Sequence, residues 1–301
     1  MPVACKTRNS EELGVKSVVK RKQRTVQNAI SVNGIGLFTG ESVTLRLLPA
    51  EKETGILFVR TDTPEKIVIP SNLDHLISSS RCTMLQKDGC SIQTIEHLMA
   101  ALHACGIGNV LVEVSGPEIP ILDGSSSGFI ELIQKAGICE LDADVPVYTL
   151  TSPVYYSHNE VQLIALPSQE YRISYTLHYP HSSFLRSQFY SSKIDQETFI
   201  SEIAPCRTFS LYEEVMPLIE KKFIKGGSLQ NGVIIKGDEI LNPEGARFSD
   251  EMVRHKVLDL VGDLALMGCF FSAHIIAIRS GHASNHALAR ELLKAINLEN
   301  S

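Results

Sequence analysis

DEMVRHKVLDLVGDLALMGCFFSAHIIAIRSGHASNHALARELLKAI, residues 250–296, carries three consecutive patterns that decide the fold class. From about Asp250 to Met267 apolar residues recur at helical spacing, and Gly268 follows as a natural stop. Phe270 to Ile278 reads as a strand, and a last helix runs from about Ser284 to Ile296. The same order stands upstream. Ile92 to Ala104 reads as a helix through Ile95, Leu98, Met99 and Leu102, Val110 to Val114 as a strand, and Ser126 to Lys135 as a helix ended by Gly137. β-like sequence precedes each set: Thr25 to Ile69 around Gly34, Gly36 and Gly40, then Val147–Leu150, Val161–Leu166 and Tyr171–Tyr179. Both halves therefore read strands, helix, strand, helix, an α+β chain with a structural duplication. The expected division is a disordered leader over 1–21, one domain over 22–143 and a second over 144–301, with the boundary inside Asp142–Val145.

Composition narrows the function classes. The 301 residues suffice for two compact domains, and 44% apolar against 21% charged residues suits a real core. A net charge of −6 argues against a protein that grips nucleic acid through its phosphates. No run approaches the ~20 apolar residues of a membrane-spanning helix. The polar, partly basic leader lacks the apolar stretch of a secretory signal; a targeting or lipid-surface role is its alternative reading. Seven scattered cysteines, never spaced C-x-x-C, fit a reducing compartment, and the cytoplasm is expected.

An apolar insertion over 209–227 carries Leu211, Val215, Met216, Leu218, Ile219, Phe223 and Ile224 and closes on Gly226 and Gly227. It reads either as a core helix broken by Pro217 or as the lining of a groove for an acyl chain.

Chemistry concentrates in three segments. His255 and Asp259 are four apart, so a helix sets them on one face, and Asp263 continues that face one turn on. With His97 from the first half they make two imidazoles and a carboxylate, a set suited to zinc with an open position for water. Glu96, beside His97, can take a proton from that water. His282 can give one to a leaving amine, with Asp263 holding the imidazole oriented and charged. Taken singly, each piece has an ordinary explanation. An H-x-x-x-D pair is usually a surface contact, and a histidine after Gly281 can simply start a helix. No H-E-x-x-H, G-x-G-x-x-G or G-x-x-x-x-G-K-[ST] pattern is present.

Four segments closely resemble the UDP-3-O-acyl-N-acetylglucosamine deacetylase family, the zinc amidases that commit a pathway to lipid A. They are Thr94 to Leu102 (TIEHLMAAL), Glu118 to Ser125 (EIPILDGS), Val253 to Asp259 (VRHKVLD) and Ser280-Gly281-His282. Lys22 to Thr25, Gly34 to Leu37, Cys206 to Phe209 and Gly226 to Ser228 are also similar, so the resemblance runs from about Lys22 to Leu293. It implies two α+β domains, each a sheet with helices on one face, the helix layers packed between the sheets. By position it implies His97, His255 and Asp259 as zinc ligands, Glu96 as general base, and His282 as general acid partnered by Asp263. Thr208 is implied as a donor to the oxyanion, and Lys256, Phe209, Tyr175, Met84 and Gly227 as substrate contacts. It turns the insertion into an acyl passage and points to a monomer.

The chain departs from the family pattern in places. Phe38 stands where many members have histidine, and Cys206 replaces a commoner alanine, raising the prospect of a thiol contact to the metal. Tyr175 stands in for a phenylalanine at the nucleotide end, and residues before Lys22 have no counterpart. The expected reaction is hydrolysis of the N-acetyl group of an acylated UDP-sugar. The alternatives are a non-catalytic binder of nucleotide-sugar or acyl groups, which has no need of Glu96, and a zinc amidase for another acylated amino sugar.

Overall fold

The computed structural model of the chain describes residues 15–79 and 81–298. Strand alternation builds the first sheet: in Ser42–Leu48, Val43, Leu45 and Leu47 are buried while Ser42 and Arg46 face outward, the two-residue period of a sheet covered on one side. Its five strands lie in the order Ile30–Ile35, Ser42–Leu48, Val110–Val114, Ile56–Arg60, Val68–Pro70. The seven-stranded second sheet is organised by Phe270–Ile278, whose Phe271, Ala273, Ile275 and Ala277 face the core. That strand pairs antiparallel with Val161–Pro167, and parallel with both Ile138–Leu150 and Arg172–Tyr179.

Six helices occur among the described residues: α1 (Glu96–Ala104), α2 (Ser127–Ala136), α3 (Gln196–Thr198, continuing into a π-helical turn at Phe199–Ile203), α4 (Tyr212–Glu220), α5 (Glu251–Ala265) and α6 (His282–Leu298). α2 packs on the Ile30–Ile35 edge and on α1. α5 packs on Arg172–Tyr179 and Arg186–Lys193, and α6 on Val154–His158 and Val161–Pro167. α1 and α5 then meet, so α1, α2, α5 and α6 lie between two sheets, the α+β arrangement expected. α5 is buried on nearly every side, its Glu251, His255, Asp259 and Asp263 included. A helix without a water face lies in a core, and its ionisable groups must find partners inside.

Gly262 sets how closely the two halves approach. A Cβ there would fall 2.1 Å from the Glu96 carbonyl oxygen, in the first turn of α1. Gly262→Ala must push α1 off α5, and with it His97 away from Asp259. The expected cost is about 1–3 kcal/mol, typical of an overpacked core, with less metal retained on purification. Denaturant titration and elemental analysis measure the two effects.

The chain departs from the sequence reading in several places. A strand begins at Val15 and runs to Val26, inside the stretch read as leader, and pairs antiparallel with Ile138–Leu150; residues 1–14 lie outside the described residues. Ile138–Leu150 runs unbroken through position 143–144, where a domain boundary was expected. The helix expected from Ile92 begins only at Glu96, because Cys90–Gln93 is a strand and Thr94 turns the chain with φ +61°. The insertion is neither a core helix nor confined to 209–227. It is a strand, a helix and a parallel strand, Phe209–Leu211, α4 and Val233–Lys236, with Glu239–Ile240 added antiparallel. Pro217 lies inside α4 without ending it, and only Val215 of that helix is buried.

Candidate metal centre and active site

The strained turn at Thr94 is held by its hydroxyl, which donates to Glu118. The same buried carboxylate accepts from the Phe38 and Thr39 backbone N–H groups and from the Thr39 hydroxyl. The turn thereby places Glu96 and His97 in the first turn of α1, facing α5. His97, His255 and Asp259, all buried, bring their donor atoms within 4.8 Å of one another. His255 Nε2 lies 3.3 Å and His97 Nε2 3.7 Å from Asp259 Oδ1. The His255 Nδ1–H donates to the Cys206 carbonyl at 3.0 Å, which leaves Nε2 free toward the cluster. Lys256 donates to Asp259 Oδ2 at 2.6 Å. Burial would raise the Asp259 carboxyl, but Lys256 and His255 overcome it and hold it well below its ordinary value. Two imidazoles and an ionised carboxylate converging in this way fit a divalent cation with an open position.

Glu96 lies beside this cluster, 4% exposed. Burial raises its carboxyl to about 7, with His282 opposing the rise. One oxygen accepts the Thr83 backbone N–H at 3.0 Å, and the other stands 3.8 Å from His282 Nε2. His282 Nδ1 bonds Asp263 Oδ2 at 2.8 Å. Burial by itself would lower this imidazole, but the Asp263 charge and hydrogen bond outweigh it and raise His282 to about 9.

Two cavities meet at this site. An apolar one of about 310 Å³ is walled by Leu37, Phe38, Phe209, Val215, Ile224 and Gly227 among others. A polar one of about 810 Å³ is walled by His255, Lys256, Asp259, His282, His178 and Arg279 among others. Thr208, Phe209, Ser210 and Arg81 border both. The Thr208 N–H donates to the Gly124 carbonyl, a contact that needs the left-handed backbone of Gly124, where a Cβ would strike the Asn231 carbonyl.

Tyr175, expected to touch substrate, is buried and borders the polar cavity, and its hydroxyl donates to the Ser280 carbonyl. Strand alternation turns it inward with Ile173 and Leu177. Met84 is half-buried, paired with Ile77 and Gln93, and lines neither cavity; its neighbour Thr83 is the residue that enters the site. The Cys206 thiol donates to the Glu202 carbonyl, so it is spent within its own turn, and only its backbone oxygen touches a candidate ligand. Sequence reasoning assigned nothing to Thr83, Asn285 or His286, which all bond Asp263. It also missed Arg207, which is buried and bonds Glu251 of α5, fixing the segment that leads through Thr208 into the Phe209–Leu211 strand to that helix. Arg207 and Thr83 stand in Cys-Arg-Thr-Phe and Arg-Cys-Thr-Met, where nothing in spacing marks them.

An α+β frame that carries two imidazoles and a carboxylate to one point, beside a buried acid and an aspartate-held imidazole, is the layout of a metal-assisted hydrolase. The profile of the LpxC family, UDP-3-O-acyl N-acetylglycosamine deacetylase, matches residues 23–294, and the chain belongs to that family. It is 48% identical over 282 residues to the UDP-3-O-acyl-N-acetylglucosamine deacetylase of Chlamydia pneumoniae, covering 93% of this chain and 100% of that one. To the proteins of the same name from Chlamydia muridarum (strain MoPn / Nigg) and Chlamydia caviae it is 47% identical over 279 residues. Those matches cover 93% of this chain and 97% and 99% of theirs.

Proposed function

We propose that this chain hydrolyses the acetamide of UDP-3-O-acyl-N-acetylglucosamine, releasing acetate and the free amine on the route to lipid A, with zinc held by His97, His255 and Asp259. The observation that carries the reading is the convergence of those three donors next to Glu96 and His282, at the junction of a polar and an apolar cavity. Zinc, when bound there, supplies a Lewis acid and makes its water easier to deprotonate. Glu96 takes a proton from the attacking water. The Thr208 hydroxyl donates toward the acetyl oxygen as charge develops on it. The Asp263-held His282 delivers its Nε2 proton to the amine nitrogen as the C–N bond breaks. Lys256 keeps Asp259 ionised and presents a cation to the polar cavity. We place the diphosphate and sugar in that cavity and the acyl chain against Phe209 and Gly227 in the apolar one. We further assign a monomer in the cytoplasm, on the family resemblance and the scattered cysteines. Among the described residues no helix is long and apolar enough to cross a membrane.

The test is acetate and free-amine release by zinc-loaded protein on substrates of graded acyl length. Each methylene transferred from water is worth about 0.8 kcal/mol, so shortening the chain by two carbons is expected to lower kcat/KM by about tenfold. Val215→Trp, which fills the apolar cavity, is expected to flatten that dependence and leave short-chain substrates nearly unaffected. No amine from any chain length refutes the reaction; equal rates for all lengths refute the acyl assignment.

A further inference from the structure

We infer that Thr83 is a positioning residue that ties the proton-accepting group to the proton-donating group, its backbone N–H holding Glu96 and its hydroxyl holding Asp263. The inference rests on the reading of Glu96 as base and His282 as acid. Thr83 is 1% exposed and immediately precedes the strand Met84–Lys87. Its N–H donates to Glu96 Oε2 at 3.0 Å, leaving Oε1 toward His282. Its hydroxyl donates to Asp263 Oδ1 at 2.5 Å.

The bonding around Asp263 shows what that hydroxyl does. Oδ2 accepts from His282 Nδ1 and Asn285 Nδ2, each at 2.8 Å, and both donors belong to α6. Oδ1 faces Thr83 and His286 Nε2, the latter at 3.2 Å. With donors on both oxygens the carboxylate cannot swing about its Cβ–Cγ bond without breaking one set, and the His282 ring is fixed by the same constraint. Thr83 is the only one of these donors that comes from the first half of the chain. Through it, a shift of α1 or its preceding hairpin moves base and acid together. A purely space-filling residue at this position would need no hydroxyl. A residue serving only to satisfy a buried carboxylate would need no bond to Glu96.

Thr83→Val keeps the shape and the N–H and removes the hydroxyl; Thr83→Ser keeps both bonds. Thr83→Val is expected to lower kcat about 10–100-fold with KM within about twofold, and Thr83→Ser to return kcat to within about threefold of the parent. A second readout is independent of turnover. Without the hydroxyl, Asp263 keeps its full charge for His282, so the ring should titrate at higher pH. That shift is read from ¹⁵N-histidine NMR of the metal-free protein and from the basic limb of the kcat/KM profile. The groups acting on His282 there are Asp263 and Asp259 of α5, Glu96 of α1 and His286 of its own helix. If Thr83→Val folds poorly, Thr83→Ala serves for both readouts.

Parent-like kcat in the hydroxyl-less variants, or an unmoved His282 titration, overturns the inference. So does a kcat loss that Thr83→Ser fails to recover. Glu96→Gln and His282→Ala are assayed beside them. Turnover surviving in those two sinks the base and acid reading itself, whereas their loss with an unaffected Thr83→Val removes only the role of Thr83.

Discussion

Glu96→Gln is expected to lower kcat by about 10²–10⁴-fold while metal content and KM stay near those of the parent, the range a lost general base spans. The substitution is close to isosteric. The glutamine oxygen can still accept the Thr83 N–H, so the side chain keeps its place against α5. What it loses is the capacity to take a proton. That capacity is tuned by the surroundings: burial raises the carboxyl to about 7 and His282 restrains the rise. Near neutral pH the group is therefore partly ionised and yet basic enough to hold a proton through the next step. Glu96 belongs to none of the three candidate ligand positions, so elemental analysis should find the ion retained while acetate release falls. Full turnover in Glu96→Gln would mean that the water's proton leaves by another route.

How far this site could be read from the sequence depends on how local each relation is. His255, Asp259 and Asp263 share a face because the helix period puts them there, and that period is visible in residues 250–267. The alternation of Phe270–Ile278 is equally local. Thr83, 180 residues from Asp263, announces itself by no spacing at all. Arg207 and Glu251 are 44 apart and form their pair only because a buried helix must satisfy its first-turn carboxylate. The start of α1 is not legible in the sequence because Ile92 and Ile95 fit a helical stripe as well as a strand. The deciding residue, Thr94, adopts a left-handed backbone that propensity disfavours. Strain of this kind is expected at working sites, and here it orients Glu96 and His97. Tyr175 and Met84 rest on likeness alone; Tyr175 borders the polar cavity, whereas Met84 lies on a hairpin strand outside both cavities.

Asp263→Asn is expected to lower kcat at pH 7.5 by about 10³-fold or more, comparable to neutralising the buried aspartate behind a catalytic histidine in other enzymes. Two opposing effects act on His282 in the parent. Burial disfavours the imidazolium; the Asp263 charge and its hydrogen bond to Nδ1, with help from Glu96, more than offset that and raise the ring to about 9. The protonated acid is thus present below about 9 and lost as pH rises through it. Asparagine removes the largest favourable contribution and leaves the burial, so the ring should titrate below its ordinary ~6.5. At pH 7.5 it would then have no proton to give. Acidifying the assay cannot fully restore the rate, because Glu96, raised to about 7, becomes protonated over the same interval. The parent should accordingly show a bell between about 7 and about 9, and the variant a low profile whose basic limb has crossed beneath the acidic one. The asparagine also turns an N–H₂ toward a cluster of donors, Thr83, Asn285 and His286, so thermal unfolding must be followed alongside. Because stability itself varies with pH, each point of the profile is normalised to the folded fraction measured at that pH. A variant whose basic limb stays near 9 would show that Asp263 is not what keeps His282 charged, and the acid would have to be sought elsewhere.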